Sequence, residues 1–230
     1  MEHVEIARAE TERGELVLRE RKENGAPSVL ELRANGVFVM DTLETSTEQA
    51  LAEAALGLVE QPRDVLVGGL GLGYTMHTVL GDQRVERCSV VEIEPALVEW
   101  MRDGTIPHGP ALLADDRANP VVADIGPAVG EVADASYDLV LLDVDNGPGH
   151  LVHEHNAALY EPLFLTELRR ILRPGGAVAI WSAEASPELE ATLEQVFGNS
   201  ETTGYDVTLQ ERDEKYWLHV ARVGAVASAE

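Results

Sequence analysis

The sequence predicts an α/β protein: a doubly wound, mostly parallel sheet with a small antiparallel β-element before it and an antiparallel hairpin at its end. Three observations carry this. Residues 64–68, 88–93, 137–143 and 177–181 are near-continuous apolar runs of strand length, the pattern of parallel strands covered on both faces. Stretches with helical periodicity lie between them. A glycine-rich segment, Gly69-Leu70-Gly71-Leu72-Gly73, follows the first run directly.

The first 45 residues read differently from the rest. Residues 15–21, 28–33 and 36–40 are short apolar-rich runs separated by Asn24-Gly25 and Asn35-Gly36, which punctuate β-hairpins. Residues 47–59 then change period, with Ala50, Leu51, Ala54, Ala55, Leu58 and Val59 at helical spacing. Further helices are expected at 74–80, 95–101 and 159–172, the last with Leu159, Leu163, Phe164, Leu168, Ile171 and Leu172 on one stripe. Ser186-Pro187-Glu188 is a helix start, a cap followed by proline in the first turn. Two final strands, 205–211 and 216–223, flank Arg212-Asp213-Glu214-Lys215 as an edge hairpin. The expected organisation is a β-element over 1–45, a nucleotide-binding catalytic domain over 46–224, and a frayed tail over 225–230.

The 230 residues carry 41 acidic and 17 basic side chains, a net charge of −24, which excludes a partner held by clustered Lys and Arg, such as nucleic acid. That field would draw a cationic small molecule, or serve solubility alone. Hydrophobic residues at 45% with 25% charged exclude wholesale disorder. The single Cys88 lies in an apolar run and reads as a buried thiol. The start has no basic and apolar leader and no stretch approaches the roughly 18 apolar residues of a membrane span, so a cytoplasmic protein without membrane contact is expected.

Glycines between a strand and a helix let the backbone approach a ligand and present N–H groups to the polar part of a nucleotide. The spacing is G-x-G-x-G, with Tyr74 where a dinucleotide fingerprint needs its third glycine. Glu92 follows Gly73 by 19 residues, where such sheets place a carboxylate on ribose hydroxyls. Glu94 reads as a cap for the helix after Pro95. Asp124 suits an adenine amino group or a solvated turn. Asp143 ends a central strand, at the sheet edge where ligand crevices form, and a carboxylate there can carry a raised pKa and act as general base. His150, His153 and His155 match no tetrahedral metal pattern, so substrate contact or loop packing is expected and no metal.

These residues resemble the spermidine synthase-like aminopropyltransferases, which share the Rossmann-like, seven-stranded fold of class I S-adenosylmethionine-dependent methyltransferases. The resemblance rests on the N-terminal strands, the glycine loop, Val91-Glu92-Ile93-Glu94, Ala123-Asp124, the strand ending in Asp143, and Leu172-Arg173-Pro174-Gly175-Gly176. It implies that Gly69, Gly71 and Gly73 approach the methionine-derived part of the co-substrate, that Glu92 holds the ribose and Asp124 the adenine, and that Asp143 takes a proton from the attacking amine. The co-substrate implied is decarboxylated S-adenosylmethionine, or S-adenosylmethionine itself. The acceptor implied is a cationic amine, near Asp145, Asn146 and Glu53, and the assembly a homodimer.

Departures fall on the amine side. The family's Asp-Ser-x-Asp-Pro has Asn146 at its fourth position and an extra glycine before Pro148. Its Asp-Glu-x-x-Tyr-His-Glu keeps Glu48 and Glu53 but has Leu51 and Ala52 for Tyr and His, and Val39 stands where a strand Gln would be. Aminopropyl transfer to a polyamine is therefore the first expectation, with methyl transfer to a small molecule and non-catalytic nucleotide binding as alternatives.

Overall fold

A computed structural model describes residues 2–22, 25, 27–151, 153–209 and 212–224. Four antiparallel strands come first, in spatial order β1 (Glu2–Thr11), β2 (Gly14–Lys22), β3 (Val29–Ala34) and β4 (Val37–Asp41). The sequence shows the last three but not β1, whose residues are mostly exposed because it is an edge strand with a single neighbour. The Asn35-Gly36 turn is where expected, between β3 and β4; Asn24 of the other lies outside the described residues.

Helix α1 (Ser46–Leu56) leads into the main sheet, which holds β5 (Asp64–Gly68), β6 (Arg87–Glu92), β7 (Ala118–Val122), β8 (Tyr137–Leu142), β9 (Leu172–Ser182), β10 (Glu201–Leu209) and β11 (Arg212–Arg222). Their order is β10-β11-β9-β8-β5-β6-β7, parallel from β7 to β9, with β11 and β10 antiparallel at one edge. Side chains alternate across it: Val65, Val67, Leu139 and Leu141 face one buried cluster, and Leu66, Val140 and Leu142 the other. Leu16, Leu18, Leu32 and Ala34 join the first cluster, so the N-terminal sheet shares a core with the main one. Cys88 is in that core, and burial pushes its thiol up to about 12.

Two expectations need correction. The stripe over 159–172 is not one helix. It is a 3-10 helix, Glu154–Tyr160, then α6 (Pro162–Ile171), with Leu172 opening β9. Pro162 lacks the N–H that would continue the first helix and starts the second, and the phase break leaves Leu163 80% exposed. The charged segment 212–215 is not the hairpin turn but part of β11, with Leu209 paired to Arg212. It escapes notice as strand because β11 meets β9 only from Trp217 onward. The sequence reading has no strand at β7, which contains Pro120 and exposes Val121 and Val122, as an edge strand tolerates. The tail 225–230 lies outside the described residues. No helix among them is long and apolar enough to cross a membrane.

Candidate active site

The glycine loop turns sharply between β5 and α2 (Tyr74–Gly81). Gly69 has φ +94°, and a Cβ on it would lie 2.2 Å from the carbonyl oxygen of Asp143. Its N–H donates to the Val91 carbonyl at 2.9 Å, so the loop is pinned to the ends of two neighbouring strands. Glu92 pins it again, accepting from the Leu70 N–H at 2.9 Å and the Glu94 N–H at 2.8 Å. Burial raises the Glu92 pKa while those N–H donors oppose the rise. Glu92 lines the cleft. Gly69 and Gly71 line this cleft; Gly73 does not. At Gly73 a Cβ would lie 2.4 Å from Met101 Cε, so this glycine serves packing of the loop on α3 (Pro95–Asp103).

Glu94 stands at the N-cap position of α3 but makes no cap bond. Its carboxylate instead accepts from Arg13 Nε at 2.6 Å and Nη2 at 3.2 Å, and the same Nη2 donates to the Ile93 carbonyl at 3.0 Å. The β1–β2 turn is thereby tied to the edge of the cleft. Asp124 caps α5 (Ile125–Glu131), accepting from the Gly126 N–H at 2.9 Å, and lines the cleft as well.

Asp143 follows β8 at the carboxyl edge of the sheet and is partly buried. Thr75, in the first turn of α2, donates its hydroxyl to Asp143 Oδ2 at 2.5 Å. Burial raises the Asp143 pKa and the Thr75 hydroxyl lowers it. Removing that hydroxyl in Thr75→Val therefore raises the pKa further. The acid limb of a rate profile that depends on ionised Asp143 should move to higher pH by about a unit, roughly the worth of one hydrogen bond. A kcat–pH titration of the variant checks this, and an unmoved limb would separate Thr75 from Asp143.

Asp145, 7% exposed, accepts from Asn156 Nδ2 at 3.1 Å. Asn146 is exposed at the rim, its backbone carbonyl accepting from the Ala183 N–H at 2.9 Å. Of the three histidines only His153 lines the cleft; His150 and His155 are exposed. No group of three or more His, Cys, Asp or Glu arranged to hold a metal occurs among the described residues. Glu53, expected beside the substrate, is exposed on α1 and takes no part in the lining. Glu48, five residues earlier, lines the cleft in its stead. The signal for it is helical spacing: Glu48 precedes Leu51, Ala52 and Ala55 by three, four and seven residues, and all three are fully buried. Leu51 and Ala52, where the resemblance has Tyr and His, thus belong to the core and not to the cleft.

The N-terminal sheet closes the cleft with an apolar wall that includes Leu16, Leu32, Phe38, Val39 and Met40. Met40 Sδ accepts from the Leu72 N–H at 3.2 Å, joining that wall to the glycine loop. Against it stand six carboxylates, Glu48, Glu92, Glu94, Asp124, Asp143 and Asp145, and no Lys or Arg lines the cleft among the described residues.

A doubly wound sheet, a glycine loop after its first parallel strand and acids at successive strand ends define the Rossmann-like fold of the methyltransferase type. The spermine/spermidine synthase domain matches residues 44–207, and the chain belongs to that family. It is 33% identical over 177 residues to polyamine aminopropyltransferase 2 of Pseudomonas aeruginosa, covering 72% of this chain and 48% of the relative. It is 29% identical over 159 residues to putrescine N-methyltransferase 3 of Nicotiana tabacum, covering 66% and 40%. The chain thus spans about half the length, or less, of these curated relatives. A spermidine synthase crystallised with the transition state analogue AdoDATO superposes with TM-score 0.79 at 18% identity, over 96% of this chain and 74% of that one, a likeness of fold.

Proposed function

We propose that this chain transfers an aminopropyl group from decarboxylated S-adenosylmethionine to a polyamine. The observation that carries the reading is the charge of the cleft: six carboxylates, of which Glu94 is paired with Arg13, and no lining Lys or Arg among the described residues. S-adenosylmethionine would bring its own carboxylate into that field, where like charges at short range repel strongly in a low dielectric. Its decarboxylated form brings an ammonium and a sulfonium only, and a polyamine adds further cations.

The side-chain-free backbone at Gly69 and Gly71 lets the chain that leads to the sulfonium pass close to the loop, while Glu92 receives the ribose and Asp124 the adenine. Asp145 and Asn146 face the acceptor. Asp143 takes a proton from the acceptor's ammonium, freeing a lone pair. That pair forms the new C–N bond at the methylene carbon attached to sulfur. The C–S bond breaks as its electrons return to sulfur, leaving a neutral thioether and a secondary ammonium that carries the positive charge. A sulfonium leaves readily, so positioning and deprotonation are what the protein must provide.

A second reading, methyl transfer to the same kind of amine, is favoured by the likeness to a putrescine N-methyltransferase. Melting curves separate the two. A ligand at 100 times its Kd stabilises by about 2.7 kcal/mol, which raises Tm by roughly 5–10 °C in a protein of this size. Decarboxylated S-adenosylmethionine should give that shift and S-adenosylmethionine a smaller one. Mass spectrometry after incubation with mixed polyamines should find an added aminopropyl group. An added methyl group, with the order of shifts reversed, establishes the second reading instead.

A further inference from the structure

The transfer step above leaves Glu48 without a task. This side chain stands in the first turn of α1, lines the cleft with Asp143, and accepts from Thr47 Oγ1 at 2.7 Å. The titratable groups that face it come from four elements: Asp143 after β8, Asp41 at the end of β4, Tyr74 on α2 and Tyr216 on β11. None is a cation. Asp41 is itself engaged by Arg21 Nη2 at 3.3 Å and by the Leu43 and Glu44 N–H groups at 2.9 Å, so its charge is answered locally. Asp143 has the Thr75 hydroxyl on one oxygen. Glu48 and Asp143 are thus two partly buried carboxylates, each with one hydroxyl donor, in a cleft with no lining Lys or Arg among the described residues.

We propose that Glu48 holds a proton in the free protein, in the cleft it lines with the Asp143 carboxylate, and that the acceptor amine binds as an ammonium which takes that proton's place. The exchange balances: R–NH3⁺ enters, one proton leaves Glu48 for solvent, and two carboxylates then face one ammonium. No bond to carbon changes until the transfer step, in which Asp143 accepts a proton from the ammonium now bound. The proposal rests on the amine-acceptor reading and is indifferent to whether an aminopropyl or a methyl group moves.

Burial first and the Asp143 charge second push Glu48 up to about 7, and burial raises Asp143 too. The sign follows: below about pH 7 Glu48 holds its proton, and an incoming ammonium must displace it. Amine affinity should therefore fall as pH drops through 7, approaching about tenfold per pH unit for one coupled proton. A merely structural Glu48 would not link amine binding to proton release.

The test is calorimetric titration with putrescine, with 5′-methylthioadenosine in the nucleoside site, in two buffers of different ionisation enthalpy. At pH 6.5 the wild-type protein should release between about half a proton and one proton per putrescine bound, as a group near 7 dictates, and close to none at pH 8.5. Glu48→Gln, shown folded by its melting curve, should release almost none at either pH. If that variant binds putrescine too weakly to titrate, the wild-type Glu48 carboxyl is followed by ¹³C NMR. Its midpoint should fall by about a unit or more when putrescine binds. Putrescine binding without proton release, release unchanged in Glu48→Gln, or an unmoved Glu48 midpoint each overturns the proposal. No putrescine binding at all overturns it together with the amine-acceptor reading, whereas release accompanied by a methylated product leaves it standing.

Discussion

Asp143→Asn should slow turnover by between about a hundredfold and ten-thousandfold, the usual worth of a positioned general base, while leaving the protein folded and able to bind the nucleoside. Asparagine keeps the shape of the side chain and an oxygen for the Thr75 hydroxyl, which now meets Asp143 Oδ2 at 2.5 Å. It loses the charge, and burial already disfavours that charge, so the fold should not suffer. Nucleoside binding should survive because Glu92 and Asp124 stand at the ends of other strands. An amide cannot take a proton from an ammonium, so the lone pair that attacks carbon is scarcely available. The kinetic signature is a fall in kcat with little change in the KM for the nucleotide. Melting curves with and without 5′-methylthioadenosine verify that the variant is intact. Turnover within about tenfold of wild type would remove Asp143 from the role of base.

Asp143 could be found in the sequence because a carboxylate directly after four consecutive buried apolar residues, Leu139 to Leu142, has few structural reasons to be there. The same logic exposes the parallel core: β5, β6, β8 and part of β9 are covered on both faces, so their runs are nearly continuous in apolar residues. Where a strand has one neighbour, the pattern fades, as in β1 and β7. Glu48 and Glu53 show a finer limit. An acid near the start of a helix suits the helix dipole whatever else it does, so residue type alone cannot single out Glu48. Its phase relative to Leu51, Ala52 and Ala55 can, and the same phase turns Glu53 to solvent. Glu94 is beyond any local pattern. Its partner Arg13 lies 81 residues away on the other sheet, so a side chain placed like a helix cap is drawn into an ion pair instead.

Gly69→Ala should lower Tm by about 10 °C and cost most of the activity besides. Two separable penalties combine. At φ +94° an L-residue is strained, which costs about 1–3 kcal/mol. The added Cβ would also sit 2.2 Å from the Asp143 carbonyl oxygen and 3.0 Å from its carbonyl carbon. Both atoms are backbone, and the adjoining Asp143 N–H donates to the Gly68 carbonyl at 2.9 Å, so no flexible side chain can yield. Forcing such an overlap costs about 1–3 kcal/mol more. At 2–4 °C per kcal/mol for a protein of this size, the sum gives roughly the stated fall. Gly175→Ala isolates the first penalty, since Gly175 has φ +84° and a Cβ added there would meet nothing within 4 Å. With one of two similar penalties, it should lower Tm by about half as much, about 5 °C. If the two variants melt alike, the approach of the glycine loop to Asp143 is not what holds this edge of the sheet. If Gly69→Ala melts lower and also turns over more slowly, the loop that receives the nucleotide and the carboxylate that takes the proton are one mechanical unit.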